Sequence, residues 1–314
     1  MRREISPTFN PVVYGSISDL IADLTPEMTT ADIRIEGGVS LLLRWENRGY
    51  STTVVSFGAA LGSKGAKNVP VFSGKRLFSG LKTNVLYVSD PSVEYEKSLT
   101  LGWYLGCAER PECVQELDAV FQAFAKFQRL IFFGVSGGGF ASLLYSAKVP
   151  DSLAVASNPQ TDIDRYFYAS KYRNLAWGNE NVDVLSEVIS VYSQRTENHV
   201  LYLQNVNDLT HMSNHLSHFI SALNPHNTVV VKTLDLEDGH VGLQSGEYRT
   251  MFKKVLREQN NLAALQVIAD SKVKSNVLIH FLSVKVLDIA RLLKNKTREK
   301  ISRGRKLLQL GSNQ

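Results

Sequence analysis

The chain has 314 residues, 44% of them hydrophobic and 21% charged, with a formal net charge of +5; this is the composition of a globular protein and excludes wholesale disorder. Residues 271–314 hold 11 Lys/Arg against 2 Asp/Glu, which leaves the rest at −4, so the basic character belongs to the tail and argues against a nucleic-acid-binding body. No apolar run approaches the roughly 20 residues that cross a bilayer, and Met1-Arg-Arg is not followed by the apolar core of a signal peptide, so a cytoplasmic location is expected.

In chain order, Asp32–Glu36 alternates, Gly37-Gly38 marks a turn, and Val39–Trp45 reads as a second strand, which predicts a β-hairpin over residues 30–46. Thr52–Phe57 is a strand that ends in Gly58-Ala59-Ala60, a Gly/Ser/Lys-rich loop covers about 62–83, and Asn84–Ser89 is the next strand. Cys107 and Cys113 lack the spacing of a redox or zinc pair and read as free thiols, with a disulfide left open. Leu117, Val120, Phe121, Phe124 and Phe127 recur at helical spacing between Val114 and Phe127.

Leu130–Phe133 is a short buried-type strand, followed by Gly134-Val135-Ser136-Gly137-Gly138 and then by Phe140–Lys148, which has helical composition. Strand, G-x-S-x-G, helix is the context of a nucleophile elbow, where a sharp turn exposes a serine hydroxyl and crowds out side chains two residues to either side. A Gly-rich turn of this kind also cradles phosphate, but neither a Walker Lys-Ser/Thr nor a complete G-x-G-x-x-G accompanies it. Leu153–Ser157, His199–Asn205 and Thr228–Leu234 are further strands, with helices expected near 210–223 and from about Tyr248 to Asp270. Strands and helices alternating in this way predict an α/β fold with a mainly parallel sheet, the opening hairpin forming an antiparallel edge.

A serine needs a base, and the base needs an orienting acid. In an open α/β sheet both belong just past the carboxyl ends of later strands, where Asp208 and Gly239-His240 stand. Asp208 has a second reading as a helix cap, with Asp162, Asp235 and Asp238 as rival acids. His211, His215 and His218 share a helical face, but no zinc motif includes them and no metal or organic cofactor is implied.

With its serine elbow, Asp208 loop and Gly239-His240 loop in that order, the chain over about 50–270 resembles the α/β-hydrolase superfamily. The resemblance implies a Ser136–His240–Asp208 triad and an oxyanion hole made by the Gly137 N–H and one from Gly58 or Ala59. It also places 160–198 where that family inserts a lid. Trp103 and Tyr104, with His211, are candidate substrate-wall residues, although aromatic residues are more often core.

The expected activity is cleavage of an ester or related acyl bond in a small-molecule or glycan substrate. Transfer of the acyl group to or from a carbohydrate or polymer hydroxyl is the alternative, and a non-catalytic binding protein that keeps the fold a second one. In the tail, Leu278, Leu282, Val286, Ile289 and Leu293 form an apolar helical stripe beside Lys294–Lys300. That pattern suits a membrane surface, a partner protein or the body itself.

Overall fold

In the computed structural model, residues 1–62, 66–179, 181–270 and 278–280 are described. Ten strands form one sheet: β1 (Pro11–Tyr14), β2 (Ala31–Ile35), β3 (Leu41–Glu46), β4 (Thr52–Ser56), β5 (Asn84–Val88), β6 (Arg129–Val135), β7 (Leu153–Ser157), β8 (His199–Asn205), β9 (Thr228–Leu234) and β10 (Leu278–His280). Their spatial order is β10-β9-β8-β7-β6-β4-β5-β3-β2-β1. The run from β5 through β4 and β6 to β9 is parallel throughout, while β3 is antiparallel to both of its neighbours. Because β5 crosses over to sit between β4 and β3, the sheet carries a change of winding direction beside β4, where ligand crevices form at carboxyl ends.

The central strands are buried on both faces, as helix-covered parallel strands must be, and all five residues of β7 are inaccessible to solvent. On one face lie α1 (Cys113–Ala125) and α2 (Gly137–Ser146). There Phe121 packs edge-on against Phe132 and Tyr145, at 5.3 and 5.2 Å between ring centres. Helix α2 is buried all round, which matches its uncharged Gly-Gly-Gly-Phe-Ala-Ser-Leu-Leu-Tyr-Ser sequence. A helical segment, α3, follows β8 through Leu209–His211, a wider π turn at Met212–Leu216, and Ser217–Ala222. On the other face α4 (Ser245–Val255) and α5 (Asn261–Ala269) cover β6 to β8, with Phe252 set between Phe78 and Phe133.

The hairpin of β2 and β3 forms as expected, but β1 adds a parallel strand outside it, so the hairpin is not the edge. The long final helix is two helices, because the Asn260 side chain accepts from Ala263 N–H and starts a new one. Residues 160–198 form short helical turns at Ile163–Arg165, Ala169–Tyr172, Arg173–Trp177 and Ile189–Tyr192. Both cysteines are buried free thiols. No helix among the described residues is long and apolar enough to cross a membrane. Leu278–His280 pairs antiparallel with β9, so the backbone where the helical stripe was expected to begin is extended. The rest of the basic tail lies outside the described residues.

Candidate active site

Ser136 occupies the corner between β6 and α2 with φ 56° and ψ −118°, a left-handed conformation that costs a non-glycine residue about 1–3 kcal/mol. Its N–H donates to the Ser157 carbonyl at 2.9 Å, and its carbonyl accepts from Phe140 N–H, so the corner is tied to β7 on one side and to the helix on the other. The hydroxyl is not used to cap α2. Gly138 explains the second glycine of the motif: a Cβ there would lie 2.6 Å from the Gly58 carbonyl oxygen, so only glycine lets the helix approach the loop after β4.

Asp208 and His240 come together as expected. His240 Nδ1 lies 2.6 Å from Asp208 Oδ2, which leaves Nε2 free of any protein partner among the described residues. Asp208 also caps α3 by accepting from His211 N–H, so its two readings are compatible: one oxygen caps and the other meets the imidazole. Burial raises the carboxyl, but the His211 and His240 imidazoles outweigh it and hold Asp208 well below the ordinary carboxylate range.

Two asparagines at the ends of β7 and β8 help to hold the histidine loop, beside Asn207, whose carbonyl accepts from Gly239 N–H. Asn205 Nδ2 donates to the Glu237 and Gly239 carbonyls at 2.8 and 3.0 Å, and Asn158 Nδ2 donates to the Val241 carbonyl at 2.9 Å. Asn158 Oδ1 in turn accepts from Asn205 N–H at 2.7 Å, so the ends of β7 and β8 are joined to the loop. Gly239, at φ 91°, supplies the reversal before His240. Two residues on, a Cβ at Gly242 would lie 3.9 Å from Val135 Cγ1, which sets the loop beside the residue preceding Ser136.

Ser136 Oγ and His240 are not hydrogen-bonded to each other. The Ser136 Oγ accepts from Gln160 Nε2 at 2.9 Å, and Gln160 Oε1 accepts from the Trp103 indole N–H at 2.6 Å. Gln160 was not anticipated; its only sequence signal is its position after β7, on the same sheet edge as the elbow.

The other expected residues divide. Gly137 N–H, first in α2, and Ala59 N–H have no carbonyl partner among the described residues. Gly58 N–H, by contrast, is bonded to the Tyr104 hydroxyl, so of the two expected second donors Ala59 is the free one. Trp103 and Tyr104 are buried rather than lining an open wall. Trp103 packs against Tyr166, Tyr168 and Tyr172, and Tyr104 packs against Phe57. Both stand at positive φ, in a loop gathered by Asp90, whose carboxylate accepts from the N–H groups of Ser92, Gly102 and Tyr104. Burial raises Asp90 to about 6 against the pull of those donors.

His211 is buried as well. Its ring stacks on His240 at 4.0 Å and 20°, and its Nδ1 lies 2.9 Å from Asp208 Oδ2, while burial lowers the imidazole and disfavours its charged form. Asp208, His211 and His240 offer donor atoms within 4.8 Å of one another, whereas His218 is not part of that group. Asp162 is engaged elsewhere, capping Ile163–Arg165 and pairing with Arg165. Asp235 bonds to Asn207 at the surface.

No protein-family model and no curated protein matches the chain in sequence. Solved structures do match in shape. A capsule O-acetyltransferase of Neisseria meningitidis serogroup A aligns at a TM-score of 0.56 and 14% identity, over 76% of this chain and 99% of that one. A glycosylation-associated protein complex from Streptococcus agalactiae aligns at 0.51 and 14% identity, over 71% of this chain and 45% of that one. The fold is that of the α/β-hydrolases. Within an α/β-hydrolase sheet the corner after β6 and the loops after β8 and β9 stand on one carboxyl edge, which is where Ser136, Asp208 and His240 are found.

Proposed function

We propose that the chain is a serine-dependent acyl hydrolase with Ser136 as nucleophile, His240 as base and Asp208 as the group that orients and stabilises the imidazole. The observation that carries this reading is the strained, left-handed Ser136 at a glycine-lined strand-to-helix corner, on the sheet edge where Asp208 clamps the neighbouring His240 loop. With Nδ1–H committed to Asp208, His240 presents Nε2 as the proton acceptor. A nucleophile–base hydrogen bond commonly tightens only when substrate is in place.

In the reaction, Ser136 Oγ bonds to the acyl carbon as its proton passes to His240 Nε2. The carbonyl electron pair moves onto oxygen, where the Gly137 and Ala59 N–H groups receive it. It then returns to expel the leaving alkoxide, which takes the proton from His240. Water, deprotonated by His240, attacks the Ser136 ester, and Ser136 recovers its proton as the acid departs. Losing one oxyanion donor typically costs about 10²–10³ in turnover.

The second reading is acyl transfer, in which a carbohydrate hydroxyl replaces water in the last step. Its support is the alignment with an O-acetyltransferase along nearly that whole chain, together with one exposed aromatic ring, Phe167. Phe167 is 86% exposed and lies 4.5 Å from Tyr166, whose ring is 6.2 Å from His211. Incubation with an activated acetyl ester, with and without oligosaccharide acceptors, separates the two. Hydrolysis predicts free acetate at a rate that acceptors do not change, and transfer predicts acetylated acceptor at the expense of acetate. Neither product, at a rate above that of Ser136→Ala, removes both readings.

A further inference from the structure

We propose that Trp103 and Gln160 form an orientation lock on the Ser136 hydroxyl, with Gln160 as a positioning residue; this rests on Ser136 being the nucleophile. A primary amide has two faces of opposite character: NH2 donates and C=O accepts. Which face meets Ser136 decides where the serine proton goes. An indole N–H can only donate, so Trp103 requires the Gln160 oxygen and turns the NH2 toward Ser136 Oγ.

With that lone pair of Oγ occupied by an incoming N–H, the serine proton cannot be given to Gln160. It is left for an acceptor on the other side, and the free Nε2 of His240 is carried by the loop docked beside Val135. The flipped amide would accept the serine proton and silence it. The lock is rigid: Trp103 and Gln160 are fully buried, Trp103 is wedged among three tyrosine rings, and Gln160 is tied to Ser136 a second time by its backbone N–H, 3.3 Å from the Ser136 carbonyl. The unusual φ of 53° at Trp103 thereby acquires a reason, since it is part of the backbone path that delivers the indole to Gln160.

The test is the rate at which a fluorophosphonate labels the full chain, measured against probe concentration so that the maximal rate separates from binding. Trp103→Phe keeps most of the ring and removes the N–H, which frees the amide to flip. Gln160→Glu places an acceptor-only carboxylate against the serine. Each should lower the maximal labelling rate about tenfold, the cost of a hydrogen bond that must break before attack, with half-saturation unchanged. Tyr172→Phe, which touches the Trp103 ring but not the relay, should stay within about twofold.

A readout independent of activity is the Trp103 indole 15N–1H resonance. In Gln160→Met it should move upfield and exchange faster with solvent. Wild-type rates in both lock variants, equal slowing in Tyr172→Phe, or an unmoved indole resonance in Gln160→Met would each overturn the lock. Failure of the nucleophile reading is distinct, because it shows in the wild type, as no labelling or as labelling that survives Ser136→Ala.

Discussion

Asp208 Oδ2 meets His240 Nδ1 at 2.6 Å although 32 positions of sequence separate the two residues. The contact is made by two loops at the ends of adjacent parallel strands, and it fixes which imidazole nitrogen is available. Asp208→Asn would present either an amide or a wrong tautomer to His240, and turnover should fall by about 10³–10⁴ with little change in KM. Asp162→Asn, at a carboxylate already paired with Arg165, should leave turnover within about twofold. Steady-state kinetics on an activated ester ranks the two.

The asparagine pair predicts a loop-positioning phenotype. In Asn205→Ala the Glu237 and Gly239 carbonyls lose their donor, and in Asn158→Ala the Val241 carbonyl does. These carbonyls are partly exposed, so each lost hydrogen bond costs about 0.5–1.5 kcal/mol. Both variants should melt at lower temperature and lose turnover through kcat rather than KM. Unchanged kcat in a folded Asn205→Ala would show that the loop holds His240 without it.

Acid stability should report on the histidine behind the site. Burial lowers His215 to about 3, and its Nδ1 accepts from Thr161 N–H, so the folded state keeps it neutral. The unfolded chain binds that proton near pH 6.5. Stability from this group is therefore fully present above about pH 6.5 and is lost as pH falls toward 3, by about 1.4 kcal/mol per pH unit for a full proton. Asp208, held low, acts in the same sense but only below the unfolded aspartate value near 4. Melting temperature against pH should thus begin to fall below about 6.5, and His215→Gln should flatten the upper part of that fall. A parallel curve in the variant would contradict the assignment.

Two glycines make opposite predictions. A Cβ at Gly138 collides with the backbone of Phe57 and Gly58, so Gly138→Ala should displace the loop after β4, destabilise the fold and impair labelling. A Cβ at Gly246, inside α4, meets nothing within 4 Å, so Gly246→Ala should stabilise by about 0.5–1 kcal/mol. Thermal melts of the pair check both signs.

The legible part of the chain was that governed by local pattern. The β6–elbow–α2 unit announced itself because glycines are demanded by close backbone approach, and β7, β8 and β9 because buried parallel strands are unbroken apolar runs. Asp208 and Gly239-His240 followed from chain order and strand ends. Long-range complementarity was not legible. No periodicity marks Gln160 as the partner of Trp103, or Asp90 as the anchor of a loop 12 to 14 residues on. Trp103 and Tyr104 carried two readings, substrate wall and core, and both side chains are buried; aromatic residues between glycines look the same in sequence whether they face solvent or, through two positive φ angles, turn inward. β1 was missed because four residues at a sheet edge carry too little pattern.

The most direct measurement is intact-mass and peptide analysis after fluorophosphonate treatment of wild type, Ser136→Ala and His240→Ala. The account predicts one adduct on the wild type, mapped to Ser136, absent in Ser136→Ala and formed at least 10²-fold more slowly in His240→Ala. An unmodified wild type, or an adduct that persists in Ser136→Ala, would contradict it.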